Sequence, residues 1–347
     1  MKPLQPSQAA PPTLLDPPAP SNPAPLVEAK DLRKTFVVAR NLWGRPTVAV
    51  KAVDGVSFAI QSGETLGLVG ESGCGKSTVG RVMAGLYKPT SGQVLFHGED
   101  FHAALAGPLA KSFRQRIQMV FQDPFSSLNP RMTIGDIIAE PLDLSSSCSK
   151  TERADRIADL LRQVGLDPDY AGRFPHEFSG GQRQRVGLAR ALAAAPEFII
   201  CDEPVSALDV SVQAQIINLL GRLQDALGLT YLFIAHNMAV VKHISNRIAV
   251  MYLGTLVETA PRDELFVRPA HPYTQALLSA VPIPDPAREQ SRQHIILEGD
   301  IPSPLDPPSG CRFRTRCRHA MPVCAEAAPP PAEVSAGHIA ACHLFRS

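Results

Sequence analysis

Several features are scarce in this sequence, and each scarcity argues against a class of protein. It has no run of about 18 apolar residues without charge, so no segment is long and apolar enough to span a bilayer. The N-terminus lacks the charged and then apolar pattern of a signal peptide, so we expect a cytosolic protein. The formal net charge is only +1, which argues weakly against a dedicated nucleic-acid binder, because such proteins usually carry a basic excess.

Apolar content and local pattern indicate where the ordered part of the chain begins. The sequence is 44% hydrophobic over 347 residues, enough for one large or two modest domains. Residues 1–25 are rich in Pro, Ala and Ser, cannot bury a core, and are expected to be disordered. Order should begin near Leu26, and the alternation over residues 53–60 predicts a strand. We therefore expect an antiparallel β layer in this part of the chain.

The motif around which the chain is organised is Gly70–Thr78, which matches the pattern G-x-x-x-x-G-K-S-T. A predicted apolar strand precedes it and a predicted helix follows it, which is the context this motif requires. Glycines allow successive N–H groups to surround a phosphate, and the helix N-terminus adds the positive end of its dipole. Lys76 can then reach the β- and γ-phosphates, and Ser77 can bind Mg²⁺. The predicted phosphate-binding residues are Gly70, Glu71, Ser72, Gly73, Cys74, Gly75, Lys76, Ser77 and Thr78.

Two carboxylates follow a second apolar strand, which is predicted over residues 198–201. Asp202 stands at the tip of this strand and can hold Mg²⁺. Glu203 is placed to orient or deprotonate an attacking water molecule. This pair predicts nucleotide hydrolysis.

A second glycine-rich segment, Ser179, Gly180, Gly181 and Gln182, opens a predicted helix over residues 183–195. By the same amide and dipole argument it forms a second anion site. One nucleotide should not need two such sites from one chain. We therefore expect this segment to face a nucleotide that another chain holds, which predicts a dimer.

Taken in order, these motifs resemble those of the ATP-binding-cassette (ABC) ATPases over residues 26 to about 260. Residues 178–182 resemble the family signature LSGGQ, with Phe178 in place of leucine. Gln122 resembles the Q-loop glutamine, residues 206–209 the D-loop, and His236 the switch histidine. Phe36 resembles the aromatic residue that stacks on adenine.

The resemblance implies an α/β fold, a P-loop NTPase (RecA-like) core with an antiparallel β layer and an inserted α-helical subdomain at about 126–182. The implied ABC ATPase domain spans 26–262, and a small cysteine-containing C-terminal domain spans 263–347.

The resemblance also implies roles for individual residues. Two cassettes would sandwich ATP between the loop of one and the signature of the other. Glu203 would be the general base, and Lys76 and His236 would contact the γ-phosphate. Ser77, Gln122 and Asp202 would serve Mg²⁺. The other implied nucleotide-site residues are Phe36, Ser179, Gly180, Gly181, Gln182 and Asp209.

The C-terminal part resembles one branch of this family. Residues 271–274, 302–304 and 310–313, with 121–124 and 127–130, resemble oligopeptide/dipeptide importer ATPases. That resemblance implies a peripheral subunit on the cytoplasmic face of the membrane that hydrolyses ATP to import peptides or similar small solutes. Its partners would be a second cassette, two permeases and, indirectly, an extracytoplasmic solute-binding protein, with no nucleic acid. The alternatives are a soluble ABC ATPase of DNA repair or translation, and a nucleotide sensor without catalysis.

The C-terminal cysteines follow the spacing C-x5-C-x6-C-x17-C, which is not the paired C-x2-C of common zinc ribbons. Four thiolates can hold a [4Fe–4S] cluster or a zinc ion. Arginines at 312, 314, 316 and 318 could offset the negative charge of such a cluster. Because some importers of this branch carry one, iron–sulfur is favoured, with structural cysteines as the alternative. The cysteines concerned are Cys311, Cys317, Cys324 and Cys342.

A separate cysteine, Cys74, lies inside the phosphate loop. The positive dipole ends there should lower the pKa of its thiol. A small loop-filling role is favoured over a redox switch.

Overall fold

The computed structural model describes residues 24–41, 46–123, 127–145, 149–281 and 294–345. Residues 1–23, which make up most of the segment predicted to be disordered, lie outside the described residues. The strands are β1 (Val27–Arg40), β2 (Pro46–Ile60), β3 (Thr65–Val69), β4 (Ser91–Phe96), β5 (Glu99–Asp100), β6 (Ile117–Val120), β7 (Phe198–Asp202), β8 (Thr230–Ala235), β9 (Arg247–Tyr252), β10 (Thr255–Pro261), β11 (Ala332–Ser335) and β12 (His338–Ala340).

The helices lie between and after these strands. They are α1 (Lys76–Met83), α2 (Phe101–Ala104), α3 (Ala110–Arg116), α4 (Ile134–Ser145), α5 (Lys150–Gln163), α6 (Gly180–Ala193), α7 (Val210–Leu227), α8 (Met238–Ile244), α9 (Arg262–Val267), α10 (Pro272–Ser279) and α11 (Val323–Glu326). Short 3₁₀ turns occur at Pro168–Gly172, Pro175–Glu177 and His343–Phe345.

The described strands form two sheets. The smaller sheet is antiparallel in the order β2-β1-β4-β5 and contains the predicted β layer. The larger sheet runs β11-β12-β10-β9-β3-β8-β7-β6. Its five strands from β9 to β6 are parallel. An α/β architecture of this kind was the predicted fold class.

The central strands are buried on both faces, as parallel strands covered by helices must be. Every residue of β3, β7 and β8 is buried. Alternate side chains of β7 enter different cores: Ile199 packs with the helical segment, and Ile200 packs towards the antiparallel sheet. The burial of β3 and β7 leaves only their ends available for chemistry.

The polar segment between β6 and α6 is helical, as predicted. Thr133 caps α4, because its Oγ1 accepts a hydrogen bond from the Asp136 N–H at 3.2 Å. Ser149 and Glu152 form the predicted capping box at the start of α5. Ile157, Leu160 and Leu161 of α5 are buried. These local signals start both helices at the predicted positions.

The C-terminal residues that the structure describes form no separate sheet. Strand β12 pairs with β10, with Glu258 opposite Ala340, so β12 and β11 extend the main sheet. The Glu258 side chain is fully buried, accepts the N–H groups of Ala270 and His271, and lies 2.7 Å from His338 Nε2. The small C-terminal domain is therefore not confirmed as an independent unit. No helix in the described ranges is both long and apolar enough to cross a membrane.

Candidate nucleotide site

The site is assembled at one edge of the main sheet. The phosphate loop follows β3, Gln122 lies beyond β6, Asp202 ends β7 and His236 follows β8. Because these four strands are parallel, their carboxyl ends meet at the same edge. Residues from distant parts of the chain thus become neighbours.

The backbone of the phosphate loop needs glycine at particular positions. Gly75 has φ 110°, and an added Cβ would lie 2.1 Å from the carbonyl oxygen of Ala52. Gly70 has φ 155°, and its Cβ would lie 2.1 Å from the carbonyl oxygen of Met251. A side chain at either position would displace the backbone packed against the loop.

Lys76 folds back into its own loop. Its Nζ donates to the carbonyl oxygens of Gly70 at 2.8 Å and Glu71 at 3.0 Å, and its side chain is buried. These contacts keep the buried ammonium hydrogen-bonded. The same atom is free to exchange carbonyl oxygens for phosphate oxygens without moving out of the loop.

Ser77 and Asp202 lie together beneath the loop. Ser77 Oγ donates to Asp202 Oδ1 at 2.8 Å. Burial raises the pKa of the Asp202 carboxyl, although the bond from Ser77 opposes that rise. Paired hydroxyl and carboxylate oxygens are the kind of ligand that Mg²⁺ prefers, so these residues fit the predicted metal.

Glu203 is the centre of a hydrogen-bonded group. Its Oε2 accepts from Gln122 Nε2 at 3.0 Å and lies 3.2 Å from His236 Nδ1. Its backbone has φ 46°, a left-handed conformation that is rare for a residue with a side chain. The structure therefore brings two other predicted residues, Gln122 and His236, to the Glu203 carboxylate.

A cavity of about 500 Å³ joins these parts. Its lining includes residues 72–78 of the loop, Gln122, Glu203 and His236. It also includes Lys51 and Pro304, which sequence reasoning did not identify as site residues. The cavity has room for a bound small molecule, with the phosphate loop on one side and the carboxylate on the other.

Phe36 is not among the residues that line this cavity. Its ring packs edge-on against Tyr87 at 5.5 Å between centroids, beneath Lys34. In the hairpin it lies opposite Val50, which does line the cavity. The predicted adenine contact remains a prediction.

The signature segment lies away from this cavity. Ser179 is exposed and caps α6, since its Oγ accepts from the Gln182 N–H while Gln182 Oε1 accepts from the Ser179 N–H. Gly181 packs against α7, because an added Cβ would lie 2.4 Å from Val212. Asp209 caps α7 through the Val212 N–H at 2.9 Å. None of residues 179–182 lines the cavity described above.

The prediction for the Cys74 thiol was wrong in its direction. Cys74 is buried, and this burial raises the pKa of its thiol, although the nearby Lys76 ammonium opposes the rise. Loss of hydration therefore outweighs the effect of the Lys76 charge on this thiol.

The four C-terminal cysteines lie near one another but do not form a recognisable metal site. The Cys311 N–H donates to the Cys324 carbonyl oxygen at 2.8 Å, and burial raises the pKa of the Cys311 thiol to about 11. Within the described ranges, no group of three or more His, Cys, Asp or Glu side chains is placed to hold a metal ion. The predicted [4Fe–4S] ligand set does not fit this arrangement.

Sequence reasoning missed two residues that contact the phosphate loop. Arg316 forms two hydrogen bonds with the Glu71 carboxylate, at 2.8 and 3.2 Å. The Tyr273 hydroxyl accepts the Glu71 N–H at 2.8 Å. From sequence, the segment of Tyr273 indicates a family branch, and the arginines including Arg316 are interpreted as countercharges for a metal cluster, a solvated face or a permease contact.

Comparison with protein families gives two matches along the chain. The model described as "ABC transporter" matches residues 53–206. The model described as "Oligopeptide/dipeptide transporter, C-terminal region" matches residues 257–324.

Curated relatives match nearly the whole chain. It is 54% identical over 325 residues to the oligopeptide transport ATP-binding protein AppF of Bacillus subtilis (strain 168), covering 94% of this chain and 99% of that protein. It is also 54% identical to the oligopeptide transport ATP-binding protein OppF of Salmonella typhimurium (strain LT2), covering 88% of this chain and 92% of that protein.

A solved structure agrees with the fold. The dimeric post-hydrolysis state of the ATP-binding cassette MJ0796 bound to ADP and Pi has a TM-score of 0.61 and 29% identity, over 68% of this chain and 98% of that chain. The chain therefore belongs to the ABC transporter family of ATP-binding proteins, and its enzymatic class is that of the ABC ATPases.

Proposed function

We propose that this chain is the ATP-hydrolysing subunit of an importer for oligopeptides, dipeptides or similar small solutes. The observation that carries the proposal is the convergence of the phosphate loop, Gln122, Glu203 and His236 on one cavity. The names of the relatives support peptides as the transported class, because those proteins are oligopeptide transport ATP-binding proteins.

In the proposed reaction Lys76 leaves the carbonyl oxygens of its own loop and binds the β- and γ-phosphates of ATP. Glu203 holds the attacking water molecule and takes its proton, while His236 and Gln122 orient the Glu203 carboxylate. Ser77 and Asp202, with Gln122, hold Mg²⁺, which neutralises phosphate charge when it is bound.

The proposed active form contains two cassettes. Residues 179–182 present an exposed helix N-terminus outside the cavity of their own chain. In the dimer this segment faces the γ-phosphate of the nucleotide held by the second cassette, with Asp209 beside it. The dimeric form of the related cassette MJ0796 supports this arrangement. The second cassette is either a copy of this chain or a related subunit.

The proposed contact with the membrane partners is an apolar groove of about 610 Å³ between α3, β6 and α4. Its lining includes Leu86, Phe121, Pro141 and Leu144, with Leu86 and Leu144 more than half exposed. Phe121 directly precedes Gln122, so an occupant of the groove would contact the residue next to the Glu203 group. We propose that a permease helix binds here on the cytoplasmic face of the membrane, and that a solute-binding protein acts through the permeases.

The test is reconstitution of the chain in proteoliposomes with a pair of oligopeptide-importer permeases. We expect ATP hydrolysis to increase when a peptide-loaded binding protein is added on the opposite side. Leu144→Glu should abolish co-purification with the permeases without weakening nucleotide binding, because it places a charge in the apolar groove. Leu109→Glu is the control, since Leu109 is also more than half exposed but lies outside the groove lining. Turnover that no permease or peptide affects would contradict the proposal.

A further inference from the structure

The phosphate loop is held from outside by the C-terminal part of the chain. Glu71, the second residue of the loop, points its carboxylate at the Arg316 guanidinium in a two-bond ion pair. The Arg316 side chain is 8% exposed and that of Glu71 is 22% exposed, so water screens the pair less than a surface ion pair.

Glu71 is fixed through its backbone as well as its side chain. Its N–H donates to the Tyr273 hydroxyl at 2.8 Å, and its carbonyl oxygen accepts from Lys76 Nζ at 3.0 Å. Glu71 therefore contacts both Arg316 and Lys76, the lysine proposed to bind phosphate. Movement of Glu71 would change both the loop backbone and the position of Lys76.

A second contact reaches the middle of the loop, at Cys74. The Arg312 guanidinium donates to the Leu253 carbonyl oxygen and to the Asp54 carboxylate. The next residue, Gly254, donates its N–H to the carbonyl oxygen of Cys74 at 2.8 Å. The two arginines thus support the loop at Glu71 and at Cys74.

The segment that carries both arginines is itself anchored. Phe313 is 2% exposed and packs against Tyr252, His271 and Tyr273, with ring centroids 5.3 to 5.5 Å apart. An aromatic cluster of this kind holds its members in defined positions. The segment between Cys311 and Cys317 is therefore a rigid support for the loop.

We propose that residues 312–316 position the phosphate loop for nucleotide, with Arg316 acting through Glu71 as a positioning residue. This inference rests on the proposed nucleotide site and deepens it by making the C-terminal region a determinant of nucleotide affinity. Residues in one ion-pair network commonly show coupling worth a severalfold change in an equilibrium constant.

The first experiment measures binding of a fluorescent ATP analogue to the full-length chain. Arg316→Gln should weaken binding about tenfold and raise KM for ATP similarly, with kcat changed by less than about threefold. Arg316→Lys should give an intermediate affinity, since it keeps the charge but loses the two-bond geometry. Arg318→Gln is the matched control, because Arg318 is an exposed arginine two residues away that contacts His319.

A second variant separates positioning from simple neutralisation of charge. In Glu71→Gln/Arg316→Gln no unpaired charge remains, so this variant is also expected to fold if Arg316→Gln alone does not. Binding that stays about tenfold weaker than wild type supports positioning. Recovery to wild-type affinity would show that Arg316 only neutralises Glu71, and would overturn the proposal.

The outcomes also separate this inference from the proposed function. If the wild-type protein bound no ATP analogue, the proposed nucleotide site itself would be contradicted. Wild-type protein that binds normally, with Arg316→Gln indistinguishable from Arg318→Gln, would overturn only the positioning role.

Discussion

The two glycine-rich segments share a chemistry but differ in their surroundings. Residues 70–78 follow a buried strand, and residues 72–78 of this loop line a cavity with Glu203 and His236. Residues 179–182 start a largely buried helix, expose Ser179 at its N-cap, and line no part of that cavity. The first segment contains a lysine and lies near Asp202 and Glu203, whereas the second contains a hydroxyl, an amide and backbone N–H groups but no charged side chain. Under the proposed function, the first segment binds the phosphates of its own nucleotide and the second faces a nucleotide held by another cassette.

The largest expected effect comes from Glu203, which shares its cavity with the phosphate loop. Glu203→Gln removes the base but keeps an oxygen near Gln122 and His236. We expect ATP turnover to fall about 10²- to 10⁴-fold, the range typical of general base catalysis. Affinity for ATP should stay within a few-fold of wild type, since the phosphate loop is unchanged.

Steady-state turnover and equilibrium binding on the same preparation measure the two quantities. Glu177→Gln controls for loss of a carboxylate, because Glu177 accepts the Phe174 N–H far from the cavity lining. Normal turnover by Glu203→Gln would show that Glu203 is not the base. The phosphate loop would then no longer differ from residues 179–182 in having a catalytic carboxylate beside it.

A smaller effect on turnover is expected from a change in the second glycine-rich segment, residues 179–182. Ser179→Asp keeps a side-chain acceptor for the Gln182 N–H, so α6 should remain capped. The added negative charge would repel the facing γ-phosphate. We expect turnover to fall about tenfold, equivalent to about 1.4 kcal/mol, with no change in ATP affinity of the isolated chain.

Ser179→Asn is the control, because asparagine also caps a helix but carries no charge. Melting temperatures of both variants should match that of the wild type. If Ser179→Asp turned over ATP as fast as Ser179→Asn, residues 179–182 would not face a phosphate. The proposal that they complete the site of a second cassette would then be contradicted.

The parts that sequence could predict are those governed by local pattern and by parallel-strand topology. The capping boxes at Ser149 and Ser179 follow from residues three positions apart. The gathering of Gln122 and Glu203 at one edge follows once the strands are known to be parallel. These features require no knowledge of which distant side chains meet.

The parts that sequence could not predict depend on long-range contacts and burial. Arg316 and Glu71 are 245 residues apart, and no local signal pairs them. The buried group of Glu258 and His338 likewise joins positions that meet only when β12 pairs with β10. The direction of the Cys74 pKa depends on how much water the loop excludes, which the motif does not encode.

Alkylation of Cys74 tests the interior of the phosphate loop. Because burial raises the pKa of the Cys74 thiol, less thiolate forms at a given pH than from an ordinary thiol, and labelling should require a higher pH. We expect alkylation in the native protein to be at least about tenfold slower than in urea, as measured by peptide mass spectrometry. Cys201, which is fully buried with a thiol pKa raised to about 12, is the internal reference. Rapid labelling of Cys74 that ATP suppresses would instead indicate an open, reactive loop and would restore the redox interpretation.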